Sequence, residues 1–337
     1  MSAAWQWLRL SFRLQRWEVL AAAAGVAVLT VGMLWFAWQL RALVAAAPQC
    51  ADPSTFVAGC ERAGQQMQEI SAWATRSTYL SYGAPFGMGL LLGVPLVARE
   101  LEGRTAPIAW TLSRSRAAWL GRRVAFAALI VVTLLVVVAV AGEVLAAAVV
   151  PDAKLGEDFT WYGRRGPLLV ARGLAALGIG VVAGALVGRT LPGLLTAAFA
   201  SVLIFTGVSL VMDRWNESDA IVAQAYGVDR SGAYVERASV GLFLGQRVEL
   251  ASGELVTWDE MGARGLNVEA IDGEDGALYA NVDDLTRGED VIGWDRELLV
   301  PGRLYPQVVL RESGVLGALT LTALAAGLIV VRRRRPG

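Results

Sequence analysis

Apolar residues are gathered into six long blocks along the chain, and polar residues are concentrated between the blocks. A helix needs about 20 consecutive apolar residues to cross the hydrocarbon core of a bilayer. The blocks therefore predict six transmembrane helices, at residues 19–44, 79–98, 124–150, 168–187, 191–211 and 315–331. The first block is too long for the apolar region of a signal peptide, so we expect it to remain as an anchor.

The segment before the last block, residues 212–312, differs in composition from the rest of the chain. Acidic residues outnumber arginines there, and apolar and polar residues alternate at 242–250 and 298–310, which is typical of half-buried strands. A segment of about 100 residues can form its own core. The sequence thus predicts an all-α polytopic membrane protein of about six transmembrane helices, with a small α+β or β-rich extracytoplasmic domain inserted before the last helix.

The arginines favour one side of this predicted topology. With a cytoplasmic N-terminus, the cytoplasmic arginines are Arg9, Arg13, Arg16, Arg99, Arg104, Arg114, Arg116, Arg122, Arg123, Arg189 and Arg332 to Arg335. The basic residues of the external loops and helix ends are fewer, namely Arg41, Arg62, Arg76, Lys154, Arg164, Arg165 and Arg172. Segment 212–312 is left out of this comparison because long loops cross a membrane largely regardless of charge. The positive-inside rule therefore predicts that both termini are cytoplasmic and that segment 212–312 lies outside.

Residues 1–18 precede the first predicted span. In a helix Arg9, Arg13 and Arg16 would share one side, and tryptophan and leucine residues the other, which is typical of a helix lying in the membrane interface. The alternative is a plain positive flank that fixes the topology.

Residue types that are absent exclude several kinds of chemistry. The chain has no histidine, so it cannot build a Ser-His-Asp or Cys-His relay or a histidine-ligated zinc site. Its single lysine, Lys154, is followed by Leu155, so the P-loop pattern GxxxxGK[ST] is missing and an ATP-driven step needs another subunit. We therefore expect a protein that is not an enzyme and holds no metal. The preference for arginine over lysine indicates a compositional habit of the source genome, so no nucleic-acid partner is expected.

Two cysteines, Cys50 and Cys60, fall in the first predicted external loop. Oxidising conditions there would let them form a disulfide, and a reduced pair of thiols is the alternative.

Three ionisable residues, Arg41, Glu143 and Arg172, fall near the outer ends of predicted spans. Charges inside a membrane are costly and often functional. Our hypothesis is that Glu143 pairs with Arg172 or Arg41 and ties the helices together; the alternative is that each side chain reaches headgroup water.

The second predicted span is rich in glycine and proline. This composition indicates either a helix that flexes or one that packs closely against its neighbours.

The connector at residues 98–123 is amphipathic and too polar to enter the bilayer, so it is suited to contact a soluble partner. Its carboxylates Glu100 and Glu102 and its guanidinium groups would make charge-assisted contacts. Its stretch ARELEGRT…AWTLSRSRAAWLGRR resembles the signature of ABC-2-type transporter permeases common in actinobacteria, and GRTLPG at 188–193 resembles the same group.

The resemblance implies a permease subunit that couples to a separate ABC ATPase subunit, which would bind ATP and Mg²⁺. By analogy, the coupling residues are Glu100, Glu102, Gly103, Arg104, Thr105, Ser113, Arg114 and Arg116. A second permease copy or a homologue would complete the pathway in a bacterial plasma membrane. An apolar lining would suit export of a hydrophobic or amphipathic compound. The alternative is a membrane-anchored receptor whose external domain binds a ligand.

Overall fold

The structure, a computed structural model, describes residues 3–50, 60–106, 110, 115–151, 156–224, 241–250, 253–263, 270–272, 278–280 and 291–334. The chain folds into two compact units. The first, here called the membrane unit, consists of Met1–Leu155, Trp161–Ser209 and Pro306–Gly337. The second unit consists of Gly156–Thr160 and Leu210–Tyr305.

Six helices in the described part of the chain are long and apolar enough to cross a membrane, which confirms the predicted number of spans. The helices are α1 (Ala3–Ala46), α2 (Glu61–Gly93) and its continuation α3 (Pro95–Glu102), α4 (Arg116–Val149), α5 (Leu168–Val187), α6 (Thr190–Glu217) and, after the short helix α7 (Trp258–Ala263) of the second unit, α8 (Tyr305–Arg333). Several extend beyond their apolar blocks because polar turns outside a bilayer can continue the same backbone hydrogen bonding.

Helix α1 is interrupted at Gln15, whose backbone is not helical (φ −119°, ψ 19°). A short helix therefore precedes the first span, at the position where the sequence predicts an interfacial helix. The location of that helix in a membrane interface stays a prediction.

The apolar core of the membrane unit lies among α2, α3, α4 and α5. Leu92, Leu96, Leu135 and Leu177 are almost completely buried there. By contrast, most large apolar side chains of α6 are exposed, which fits contact with lipid.

Helices α2 and α5 touch through their backbones. A Cβ atom at Gly89 would lie only 2.6 Å from the Cβ of Ala176, and one at Gly93 only 2.6 Å from the carbonyl oxygen of Leu177. Small residues permit this approach, as they commonly do between membrane helices. For these two glycines the structure shows the close packing that the sequence left as one of two alternatives.

The contact continues beyond the end of α2. A Cβ atom at Gly184 would lie 2.5 Å from the carbonyl oxygen of Val94, and one at Gly180 would lie 3.1 Å from the Val94 nitrogen. We call Gly89, Gly93, Gly180 and Gly184 the glycine seam. Because Val94 directly precedes α3, the seam also fixes the start of that helix.

The second unit contains a four-stranded antiparallel sheet. Its strands are β1 (Ile221–Gln224), β2 (Leu242–Leu250), β3 (Leu255–Val256) and, after the separate hairpin of β4 (Ala270–Asp272) and β5 (Leu278–Ala280), β6 (Val291–Val300). The strand order is β1-β6-β2-β3, and Phe243 pairs with Leu299. The buried side chains of Val248, Val256 and Val300 form its apolar face.

The predicted strand at 242–250 coincides with β2, but of the one predicted at 298–310 only residues 298–300 are strand. Strand β6 ends at Val300 because Pro301 has no N–H for the ladder, and α8 begins at Tyr305. The border of the units accordingly falls at Tyr305, before the boundary at 312 that composition indicates. Nine of the 20 acidic residues of this segment lie outside the described residues.

The glycine seam yields a prediction with a control in the same helix. Replacing Gly89 by Ala should lower the free energy of unfolding by about 1–3 kcal/mol, since the added methyl overlaps α5. Replacing Gly87 by Ala should be neutral or slightly stabilising, because nothing lies within 4 Å of its Cβ position. Thermal unfolding of the purified protein in detergent measures both. Equal stabilities of the two variants would contradict the seam.

Candidate coupling site

The connector after the second span begins with a tight turn. The N–H of Thr105 donates to the carbonyl of Glu100 (3.0 Å), and the N–H of Arg104 donates to the carbonyl of Leu101 (3.2 Å). This pair of bonds is the Schellman arrangement that often closes a helix. Its left-handed position is occupied by Arg104 (φ 55°), one residue after Gly103. A left-handed backbone costs a residue with a Cβ about 1–2 kcal/mol, so the turn carries strain at an exposed arginine.

Glu100 fastens this turn to α4. Its carboxylate accepts hydrogen bonds from Nη2 of Arg123 (2.6 Å) and from Oγ1 of Thr105 (2.5 Å). Arg123 also donates to the carbonyl of Leu96 (3.2 Å) and lies over the ring of Trp119, 4.8 Å from its centroid. The Glu100 and Arg123 side chains are only 15% and 17% exposed.

Glu102 caps the N-terminus of α6. Its Oε2 accepts hydrogen bonds from the backbone N–H of Thr190 (3.0 Å) and from the Thr190 hydroxyl (2.8 Å). The first N–H groups of a helix have no partner within the helix and carry a partial positive charge. A carboxylate from the neighbouring connector satisfies one of them, so α3 and the start of α6 are held together.

Arg116 caps the C-terminus of α8. Its Nη1 donates to the carbonyls of Arg334 (2.8 Å) and Arg332 (3.1 Å), and its guanidinium lies over Trp110 at 4.4 Å. Arg334 in turn donates to the carbonyl of Ala185, near the end of α5. The connector is thereby joined to the ends of two further helices.

Three of the predicted coupling residues make contacts within this chain, and their role in coupling stays a prediction. Glu100, Glu102 and Arg116 were expected to face a partner protein, yet their charged atoms bind helix ends and side chains of this chain. The reason is local: unsatisfied helix ends lie beside the connector and attract the nearest charges of suitable sign. Glu102, Gly103, Arg104 and Thr105 are exposed. Two more predicted coupling residues, Ser113 and Arg114, lie outside the described residues.

The opposite end of the membrane unit holds a buried ion pair. Helices α5 and α8 have their other ends at the connector, so Arg172 and Glu312 lie at the far end. Nη2 and Nε of Arg172 donate to Oε1 of Glu312 (2.6 and 3.2 Å), and the Tyr162 hydroxyl donates to Oε2 (2.7 Å). Nη1 of Arg172 donates to the carbonyl of Gly163 (2.7 Å). Both side chains of the pair are less than a tenth exposed.

The loop that reaches this pair, residues 161–166, we call the clasp loop. Arg165 forms an ion pair with Glu143 of α4. Arg164 lies over the ring of Tyr79 (3.8 Å), and its carbonyl accepts a hydrogen bond from Ser81 (2.7 Å). Neighbouring residues of one loop therefore bind α2, α4, α5 and α8.

The clasp loop changes the predicted intramembrane pairing. Glu143 is bound to Arg165, Arg172 is bound to Glu312, and Arg41 is exposed on α1, so the structure does not bring Glu143 together with Arg172 or Arg41. The reason is that Arg165 and Glu312, which the sequence places outside the predicted spans, belong to the membrane unit. A signal for Glu312 exists in the sequence, because it lies at helical spacing between the buried residues Val308 and Leu316. Arg165 and Tyr162 have no comparable signal.

Cys50 and Cys60 form a disulfide, with their Cα atoms 5.4 Å apart. It joins the chain after α1 to the residue preceding α2. Among the described residues, no group of three or more Cys, Asp and Glu side chains could hold a metal ion.

Arg116 yields a second prediction. Replacing it by Ala removes the cap of α8, which should cost about 1 kcal/mol and speed hydrogen exchange in the last turn of α8 roughly fivefold. Replacing Arg122, an exposed arginine of the same helix, should leave exchange there unchanged. Exchange is read by mass spectrometry, and an unaltered last turn in the Arg116 variant would refute the cap.

The buried pair yields a third prediction. Glu312→Gln leaves a buried guanidinium without its counter-charge and should lower the free energy of unfolding by about 3–5 kcal/mol. Combining Arg172→Met with Glu312→Leu should recover most of this loss, because paired apolar side chains need no counter-charge. Glu217→Gln, at an exposed ion pair, should change stability by less than about 0.5 kcal/mol. Thermal unfolding tests all three, and a double variant as unstable as the single one would contradict the pairing.

Comparison with known proteins gives one family assignment. The family model described as ABC-2 membrane transporter related matches residues 23–215, more than half of the 337-residue chain. No curated protein and no solved structure gives a significant match. The match covers α2 to α5, the turn at 103–105 and the clasp loop. The chain is therefore a multi-pass membrane protein that belongs to the ABC-2 membrane transporter related family, and its function is that of a transporter permease.

Proposed function

We propose that this chain is driven by a separate ATPase subunit that binds ATP and Mg²⁺ and contacts the turn at residues 103–105. The family assignment supports a permease, and the chain itself lacks a P-loop. Ligand-driven closure of the ATPase would bias the permease between two conformations.

The observation that carries the proposal is the attachment of the turn. Only Val94 separates α3 from α2; its N–H donates to the carbonyl of Leu90 and its carbonyl accepts from Ala98, although Pro95 has no N–H for the bond to Leu91. The glycine seam locks this pair of helices to α5, and Glu102 joins it to α6. A displacement applied at the exposed turn would therefore be carried into several spans as one rigid movement.

Charge supports a cytoplasmic position for the turn. Helices α3, α4 and α8 all have arginine-rich ends beside the connector, as the positive-inside rule favours for cytoplasmic segments. In this orientation both termini are cytoplasmic and residues 212–312 are extracytoplasmic, in a bacterial plasma membrane.

Two copies of the chain, or this chain and a homologue, would line the pathway. The most apolar windows of α6 and α8 are only 17% buried, against 67% for α5, which leaves their apolar faces available to lipid or to a second copy. We propose export of a hydrophobic or amphipathic compound, because apolar side chains dominate the spans. No observation favours the receptor alternative, and the family does not support it.

A variant of the exposed arginine tests the contact with the ATPase. Arg104→Ala should weaken co-purification of the ATPase and lower stimulated ATP hydrolysis roughly tenfold, since arginines at interface centres often contribute more than about 1 kcal/mol. Arg104→Gly also removes the guanidinium but relieves the left-handed strain, so it should lose coupling equally while unfolding at a higher temperature. Hydrolysis by the co-purified complex in lipid is the measurement.

The control is Arg303→Ala, an exposed arginine of the second unit that should leave coupling unchanged. Coupling retained by both Arg104 variants would refute this contact. A cysteine in place of Thr105 should react in intact cells only with a membrane-permeant maleimide, because the native cysteines are bonded to each other. Reaction with an impermeant reagent would overturn the orientation.

A further inference from the structure

We propose that the clasp loop is the gate of the transport pathway at the end of the membrane unit opposite the connector, held closed by the Arg172–Glu312 ion pair. The proposal rests on the proposed function, because a gate has meaning only in a protein whose pathway opens. It assigns to Arg172, Glu312 and Tyr162 a role in the conformational cycle.

The clasp loop connects four helices. Within the clasp loop, Tyr162 binds α8, the carbonyl of Gly163 binds α5, Arg164 contacts α2 and Arg165 binds α4. One loop therefore keeps four helices together at this end. Release of the loop would free all four helices at once.

The clasp differs from the glycine seam in the type of contact. Helices α2 and α5 meet through interlocked backbones at the glycine seam, and such a contact cannot open without losing many close atom pairs. The clasp is instead made of ion pairs and hydrogen bonds. A buried ion pair gains little net free energy, because the cost of desolvating both charges offsets most of their attraction. The closed clasp, with its buried ion pair, and an open clasp, with both side chains hydrated, therefore have similar free energies. A gate requires two such states.

The backbone of the clasp loop is strained. The clasp loop has three residues with left-handed backbones: Trp161 (φ 54°), Gly163 (φ 75°) and Gly166 (φ 71°). Glycine suits position 163 because its φ is positive, and a Cβ there would lie 2.5 Å from Nη1 of Arg172. Trp161 has a Cβ and is strained in this conformation. The closed loop is thus held under strain that opening would relieve.

A buried hydroxyl provides a reporter of opening. Ser81 is fully buried, and its hydroxyl donates to the Arg164 carbonyl (2.7 Å), directly beneath the loop. Since Cys50 and Cys60 are bonded to each other, Ser81→Cys would be the single free thiol. A thiol reacts as its thiolate, so N-ethylmaleimide would modify Cys at this position only when water enters the clasp.

The experiment follows labelling by N-ethylmaleimide in isolated membranes. Ser81→Cys should be labelled at least about tenfold faster than Ala127→Cys, a fully buried position in the apolar core of α4. Adding Glu312→Gln should accelerate labelling by at least a further tenfold or so. Combining Ser81→Cys with Arg172→Met and Glu312→Leu should reduce the labelling rate to that of Ala127→Cys. An apolar pair gains nothing from hydration, so water should not enter the clasp. If Ser81→Cys is as protected as Ala127→Cys with the native pair present, the gate is refuted.

Further arms separate the possible failures. If Glu312→Gln fails to insert, Tyr162→Phe removes one hydrogen bond to the carboxylate and should still accelerate labelling about threefold to tenfold. Persistent fast labelling with the apolar pair would mean that the cysteine itself opened the loop, which also refutes the gate. Adding ATP to membranes that contain the co-purifying ATPase should change the Ser81→Cys rate at least about threefold. A clasp that opens without responding to ATP would uphold the gate and refute the drive by the ATPase.

Discussion

The contact on which the membrane unit depends is the backbone approach of α2 to α5. At the glycine seam no side chain separates the two helices, so neither can slide or rotate without backbone overlap. Helix α3 shares in this contact through Val94, and α8 packs against the same helix α5 through Gly178 and Gly327, where a Cβ would lie 3.1 Å from a neighbouring side chain. Helix α5 is thus the element against which the connector, the clasp loop and the last helix are positioned.

The capped ends of the helices are a second set of contacts that hold the membrane unit together. A membrane helix must satisfy its terminal N–H and C=O groups where water is scarce. This chain satisfies several of them from neighbouring segments: Glu102 caps α6, Arg116 caps α8, and Arg334 donates to a carbonyl near the end of α5. Arg116 holds the end of α8, and Arg334 at that end holds α5, so the loss of one contact alters the packing of the next helix.

Much of the fold was predictable because the pattern of apolar residues along a membrane helix or a half-buried strand does not depend on which segments pack against it. The six spans and strand β2 follow from it. The start of α8 was missed because the mixed apolar and polar residues 302–310 fit a strand as well as a helix, and Pro301 is the residue that ends the strand. In the candidate site the turn could be located, but the partners of Glu100, Glu102 and Arg172 could not, since they come from segments at distances along the chain that no local pattern encodes. Charge alone indicated that pairs form, without indicating which.

Arginine side chains hold both ends of the membrane unit, but they bind backbone carbonyls at the connector and carboxylates at the clasp loop. At the connector, Arg116 and Arg334 bind neutral backbone carbonyls, and the bond from Arg116 to the Arg332 carbonyl is already exposed to water. At the clasp, Arg172 and Arg165 bind carboxylates, and the attraction between opposite charges falls steeply as the local dielectric constant rises. Water that enters the clasp therefore weakens the contact that excluded it, so opening there reinforces itself. The caps beside the connector persist meanwhile, and the turn at 103–105 remains attached to the spans that it would move.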